Sequence, residues 1–194
     1  MKEMIQTRNN KTGKNMYALT AASMLIAISV VFQIAHIGIQ TQWGIWIDLV
    51  AIPWILAYFL FGFRIGGLTA LISSGIIAII APSGMIGALM KLAATLPMII
   101  VPAAILYILK LKLGDFEKPK IFLIALISAI IVRGAFMLPF NYYFAIPVYF
   151  GMPTAEAMAF LPPIILFGLN AIQGAIDFCI AWVLVFKYKL KRFQ

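Results

Sequence analysis

The sequence predicts an all-α membrane protein: a six-transmembrane-helix bundle forming a single integral membrane domain over 1–194, with both termini cytoplasmic. Three observations carry this. The chain is 64% hydrophobic and 11% charged, with a mean hydropathy of +1.04, too apolar for a soluble fold that must cover its surface in water. Its apolar runs approach the roughly 20 helical residues that cross a hydrocarbon core about 30 Å thick. And all of its 15 Lys and Arg except Lys91 and Arg133 gather at every second boundary between those runs, as the positive-inside rule describes for cytoplasmic loops.

The first span, about 17–35, follows a polar stretch carrying Lys2, Arg8, Lys11 and Lys14. It is too long for a signal-peptide core and is expected to remain uncleaved. Within it, Ala18 with Ala22 and Ser23 with Ala27 repeat at four-residue spacing, a pattern that lets helix backbones approach closely in lipid. The segment 36–46 reads HIGIQTQWGIW and has no Lys or Arg. The second span, about 47–63, opens on Asp48, and Arg64 marks an inner turn before the third at about 66–81. After the uncharged turn 82–85, the fourth span covers about 86–109. Lys110, Lys112, Lys118 and Lys120 crowd the next loop, where Gly114 and Pro119 break helix. The fifth span, about 121–140, leads into 141–161, which again lacks Lys and Arg. The sixth, about 163–186, ends before Lys187, Lys189, Lys191 and Arg192. The charged loops face inward and the uncharged ones outward; an even number of spans puts both termini on one side.

This distribution also limits function. The net charge of +9 sits beside apolar runs, so its expected partner is membrane lipid and not nucleic acid. The single cysteine, Cys179, cannot form an internal disulfide, and the single histidine, His36, has no second metal ligand nearby. No phosphate-binding loop or nucleophile motif is present. The chain is therefore expected to be no enzyme and to carry no cofactor, and any ATP-driven work must come from partners.

Polar residues inside the spans are the candidates for function, because ionisable groups at membrane depth are costly unless paired or facing a wet cavity. Asp48 and Lys91 lie near the outer side, as a rim ion pair or as ligand contacts. Arg133 lies about 12 Å below Asn141 on a helix rising 1.5 Å per residue. Asn170, Gln173 and Asp177 fall at i, i+3 and i+7, on one helix face. Arg133 and Asp177 read as an ion pair between spans five and six. Asn170 and Gln173 read equally as a helix–helix hydrogen bond, worth about 0.6–2 kcal/mol, or as polar contacts to a heterocycle. The outer segment NYYFAIPVYFGMP holds Tyr142, Tyr143, Phe144, Tyr149 and Phe150. With Trp46, these read as interfacial anchors or as a lid and aromatic pocket over a flat ligand; their density favours the pocket.

The two Asn-containing segments carry a resemblance. NYYFAIPVY (141–149) is similar to a segment of the form N-aromatic-aromatic-A-aliphatic-P-aliphatic-Y, and LNAIQ (169–173) to F-N-A-L-Q/K. Both belong to the riboflavin-specific branch of the S components, the substrate-binding membrane subunits of energy-coupling factor (ECF) vitamin transporters. IDLVAIPWILAYFLFG (47–62) resembles that branch's second helix, and the likeness extends over the whole chain in length and topology. It implies a multi-pass protein of a prokaryotic cell membrane that captures riboflavin from outside. The vitamin would be a transported substrate, with FMN as a further candidate. A transmembrane coupling subunit and two cytoplasmic ATPase subunits would drive uptake. The ring would lie in an outward-facing cavity beneath the first loop, among helices four to six, with Asn141 and Asn170 on its polar edge. Gln173 matches a position that is Lys or Gln in relatives, and Lys91 a polar position at the start of helix four. Tyr142, Tyr149, Trp46 and Asp48 complete the expected site. Ala18 and Ala22 match the docking surface for the coupling subunit. Arg133 departs from the pattern and suits a ligand carboxylate or phosphate.

Three rivals remain open at this stage. One is an S component for thiamine, biotin or pantothenate. Another is a membrane-embedded lipid-modifying enzyme using Asp48 and His36 as acid and base. The third is a structural subunit without ligand.

Overall fold

The computed structural model describes residues 2–190, with side chains from Asn15 onward. The side chains of Lys2, Arg8, Lys11 and Lys14, and all of Lys191 and Arg192, lie outside the described residues. Helix α1 (Lys2–Ile34) leads into a two-stranded hairpin, β1 (Gly38–Gln40) and β2 (Trp46–Asp48). The strands are antiparallel, with Gly38 opposite Asp48 and Gln40 opposite Trp46. Then follow α2 (Ile52–Phe61), α3 (Phe63–Ile80), α4 (Gly84–Ile108), a 3₁₀ turn (Leu113–Glu117) and α5 (Pro119–Phe140). Short helices α6 (Ile146–Phe150) and α7 (Thr154–Phe160) precede α8 (Pro163–Trp182).

Among the described residues, five helical stretches are long and apolar enough to cross a membrane: Asn15–Ile34, Phe63–Ile80, Gly84–Ile108, Pro119–Phe150 and Pro163–Lys187. The expected second span, 47–63, is not one of them. Its first residues pair in β2, and helix begins only at Ile52, with Pro53 in the first turn where its missing N–H leaves no intrahelical bond unmade. Ten residues give α2 about 15 Å, half of a hydrocarbon core. Ile52 through Phe59 are all buried, so α2 is apolar on every side because neighbouring helices surround it.

Gly62 (φ 86°) ends α2 in the left-handed region that glycine enters without penalty. Chain reversal then brings Gly66 against Tyr58, so closely that an added Cβ would lie 2.6 Å from the tyrosine Cβ. At the opposite end of α2, Trp54 Nε1 donates to Ser29 Oγ (2.7 Å), which donates to the Val50 carbonyl (2.8 Å). This chain satisfies three buried polar groups and fixes α2 against α1.

The core beneath is aromatic. Phe59 meets Phe178, Phe116 and Phe186 edge-on, with centroids 4.9, 5.4 and 5.6 Å apart. Phe116 comes from the basic 110–120 loop and is fully buried, while its carbonyl accepts from Trp182 Nε1 at 2.7 Å. An apolar contact and a hydrogen bond thus draw this otherwise solvated loop onto the bundle.

The expected outer loop 141–161 is largely helical. α5 continues through one π-helical turn, Asn141–Ala145, into α6, and the chain first turns sharply at Gly151 (φ 65°). The π turn closely follows Pro139, which lacks a backbone donor and disturbs the i→i−4 ladder. On a helix the aromatics cannot all face one pocket. Tyr142 is buried, whereas Tyr143 is 70% exposed.

Candidate functional site

A cavity of about 590 Å³ opens between the hairpin and the ends of α4, α5, α6 and α8, within the range of small-molecule sites. Helical spacing builds its walls. Arg133, Met137, Asn141 and Ala145 recur every four residues along α5 and its π turn, and all line it. Met90, Lys91, Ala94 and Thr95 do the same on α4, and Asn170, Gln173 and Asp177 on α8. Trp46 and His36 stand at the hairpin side, their rings 5.8 Å apart and edge-on. Tyr149 Oη donates to the Ser83 carbonyl (2.8 Å), joining α6 to the α3–α4 turn beside the cavity.

The hairpin is fastened down at Asp48. Gln173 accepts from the Asp48 N–H through Oε1 (2.9 Å) and donates from Nε2 to the Asp48 carbonyl (2.8 Å), pairing with both backbone groups. It also donates to Asp177 Oδ1 at 2.8 Å. The Asp48 carboxylate accepts from the Val50 N–H (3.0 Å) and forms an ion pair with Lys91 Nζ. One residue therefore links β2, α4 and α8 around the cavity.

The floor is less satisfied. Arg133 Nη1 and Asp177 Oδ2 stand 3.8 Å apart, and neither atom has a hydrogen-bond partner. Both side chains are at most 5% exposed. Arg133 Nε donates to Asn170 Oδ1 over a long 3.4 Å, so the Asn170 amide oxygen faces the guanidinium. Asn170 Nδ2 donates to the Leu166 carbonyl (3.0 Å) and Asn141 Nδ2 to that of Met137 (2.8 Å). Each asparagine is thereby anchored to its own helix, with amide capacity left over.

Of the expected site residues, Asn141, Asn170, Gln173, Lys91, Tyr149, Trp46 and Asp48 line this one cavity. Tyr142 does not. Its ring packs with Ile146, Ala157, Leu161 and Leu166 in a separate cluster, and its hydroxyl donates to the Leu161 carbonyl at 2.5 Å. As the next residue on a helix, it points away from the side that Asn141 faces. The residues of the expected docking pair differ from their neighbours in exposure. Ala22 is buried on the α1 face that carries Leu25 and Ser29 toward α2 and α3, and Ala18 is half-buried above it. The exposed small residues at this spacing are Ser23 and Ala27. Arg133 and Asp177, read from sequence as an ion pair between spans and, for Arg133, as a partner for a ligand anion, also line the cavity floor. The four-residue repeat linking Arg133 to Asn141 was the available signal.

A bundle of membrane-length helices around one cavity, with amides and paired charges converging on it, defines a membrane-embedded protein that binds a small molecule. Residues 17–186 match the family model described as "ECF transporter, substrate-specific component". The chain belongs to this family of transporter subunits. No curated protein sequence matches it. Among solved structures it is similar to the S component of a bacterial ECF transporter, at 22% identity and a TM-score of 0.72, over 93% of this chain and 99% of that one. At that identity the likeness shows a shared fold.

Proposed function

We propose that this chain is the riboflavin-binding subunit of an ECF transporter. The observation that carries the reading is the convergence of Asn141, Asn170 and Gln173, from two separate motifs, on one cavity beneath the hairpin. Asn141 and Asn170 present amide groups to the donor and acceptor edge of a flavin ring. Met90, Met137 and Trp46 supply the polarisable and aromatic surface against which a flat heterocycle packs. The hairpin, held at Asp48 by Gln173 and Lys91, covers the bound vitamin. α2 with the extended chain before it completes a sixth crossing, and the basic 110–120 loop lies on the cytoplasmic side with both termini. A coupling subunit packs on the exposed face of α1, where Ser23 and Ala27 allow close approach, and two ATPase subunits drive uptake into a prokaryotic cell.

Quenching of riboflavin fluorescence by the purified subunit tests this directly. Saturable quenching, or a flavin absorption spectrum in the protein as purified, is the expected result. A colourless preparation that leaves added riboflavin fluorescence unchanged would overturn the reading.

A further inference from the structure

Among the described residues, the cavity contains two cations and two carboxylates, and each cation faces a carboxylate. Lys91 pairs with Asp48 beside the hairpin, and Arg133 with Asp177 at the floor. The other titratable groups lining it are His36 and Tyr149, both exposed. The pairs differ in quality. Lys91 retains 21% exposure, whereas Arg133 and Asp177 are buried with one unpartnered atom each. A guanidinium held at 3.8 Å from its counter-charge has its charge compensated while its hydrogen-bonding capacity is not used up. An anionic ligand entering this floor would bring a second negative charge to a cation already neutralised, and would lose its hydration in doing so. A neutral carbonyl or ring nitrogen brings an acceptor without that cost.

We propose that the two ion pairs make the cavity electrically neutral and so select an uncharged ligand, with Arg133 as the specificity-determining residue that donates to a neutral acceptor on it. The proposal deepens the riboflavin reading and rests on it for the ligand's identity, but the charge selection can be tested separately. The sequence suggested that Arg133 suits a carboxylate or phosphate. Asp177 behind it reverses that expectation.

The test uses pairs of probes that differ chiefly in charge, riboflavin against FMN and biotin amide against biotin, with thiamine as a cation. Binding to the purified full chain is measured by fluorescence quenching or by displacement. The uncharged member of any pair that binds is expected to be favoured by at least about 100-fold, since an uncompensated buried charge is excluded. Asp177→Asn leaves Arg133 without its counter-charge, and the preference should shift toward the anion by about tenfold or more. Arg133→Gln with Asp177→Asn restores neutrality and should restore the preference for the uncharged member. Lys91→Gln, at the more exposed of the two pairs, should weaken anions and strengthen thiamine. An anion or thiamine as the tightest ligand of the wild-type chain would overturn the proposal. So would unchanged selectivity in both folded Asp177→Asn and Lys91→Gln. If riboflavin does not bind while biotin amide outcompetes biotin, the riboflavin reading fails and the charge selection stands.

Discussion

At the scale of single residues, two neighbours in one motif separate cleanly. Asn141 lines the cavity, while Tyr142 lies on the opposite side and spends its hydroxyl on the Leu161 carbonyl. Tyr142→Phe should therefore lower thermal stability by about 1 kcal/mol, the usual net value of one hydrogen bond, and leave riboflavin affinity within about twofold. Melting and quenching on the same preparation check both. Asn170→Ala should behave differently. It removes a donor from the cavity and the amide oxygen that accepts from Arg133 Nε. Riboflavin affinity should fall about 10- to 100-fold, corresponding to one or two lost polar contacts at a buried site. Quenching titrations measure it; unchanged affinity would remove Asn170 from the site.

At the scale of elements, the hairpin and the basic loop show two ways of fixing a connection. The hairpin is held through its own backbone. Gln173 occupies the N–H and C=O of Asp48 that a third strand would otherwise pair. Gln173→Ala leaves both buried groups unpaired, which weakens the closed hairpin. Riboflavin should then dissociate about tenfold faster, as most affinity changes appear in the off-rate; stopped-flow release checks it. The basic loop is held by Phe116 and by Asp115, whose carboxylate accepts from Lys118 Nζ and from the Lys112 N–H, each at 2.8 Å. The Lys118 contact first, and the backbone bond second, hold the Asp115 carboxyl below its ordinary 3.8. A pKa depressed by folding stabilises above the unfolded value and loses that contribution as pH falls through the folded value. The small difference in melting temperature between wild type and Asp115→Asn should thus be present at pH 7 and vanish as the pH drops well below 3.8. Thermal melts across that range measure it.

At the scale of the whole molecule, charge sets orientation and packing sets depth. The cations of the 110–120 loop and the uncharged hairpin should lie on opposite faces of the membrane. With Cys179 replaced by Ser, a cysteine at Lys118 should react with an impermeant thiol reagent only after the cells are opened. One at Thr41 should react in intact cells. Labelling of both from the same side would reject the six-crossing arrangement. The same scale explains α2. Its composition is that of a membrane span, yet it is a ten-residue helix whose residues Ile52–Phe59 are all buried, because α1, α3, α4 and α8 pack around it. Hydropathy reports that a segment avoids water, and cannot distinguish a helix in lipid from one inside protein.

The sequence by itself determined the helical membrane class, the limits of most long helices to within a few residues and the polar positions that meet at the cavity. Hydropathy, charge placement and helical periodicity are local properties of the chain, and they place Asn170, Gln173 and Asp177 on one face before any fold is known. Tertiary structure decided what those positions face. It turned Tyr142 and Ala22 into the protein, made α2 short by pairing the residues before it in a strand, and brought the expected Arg133–Asp177 pair to the wall of the cavity. Each of these depends on contacts between residues far apart in the chain, such as Gln173 with Asp48 and Arg133 with Asp177. The charge state offered to a ligand belongs to those pairs, and a single helix cannot reveal it.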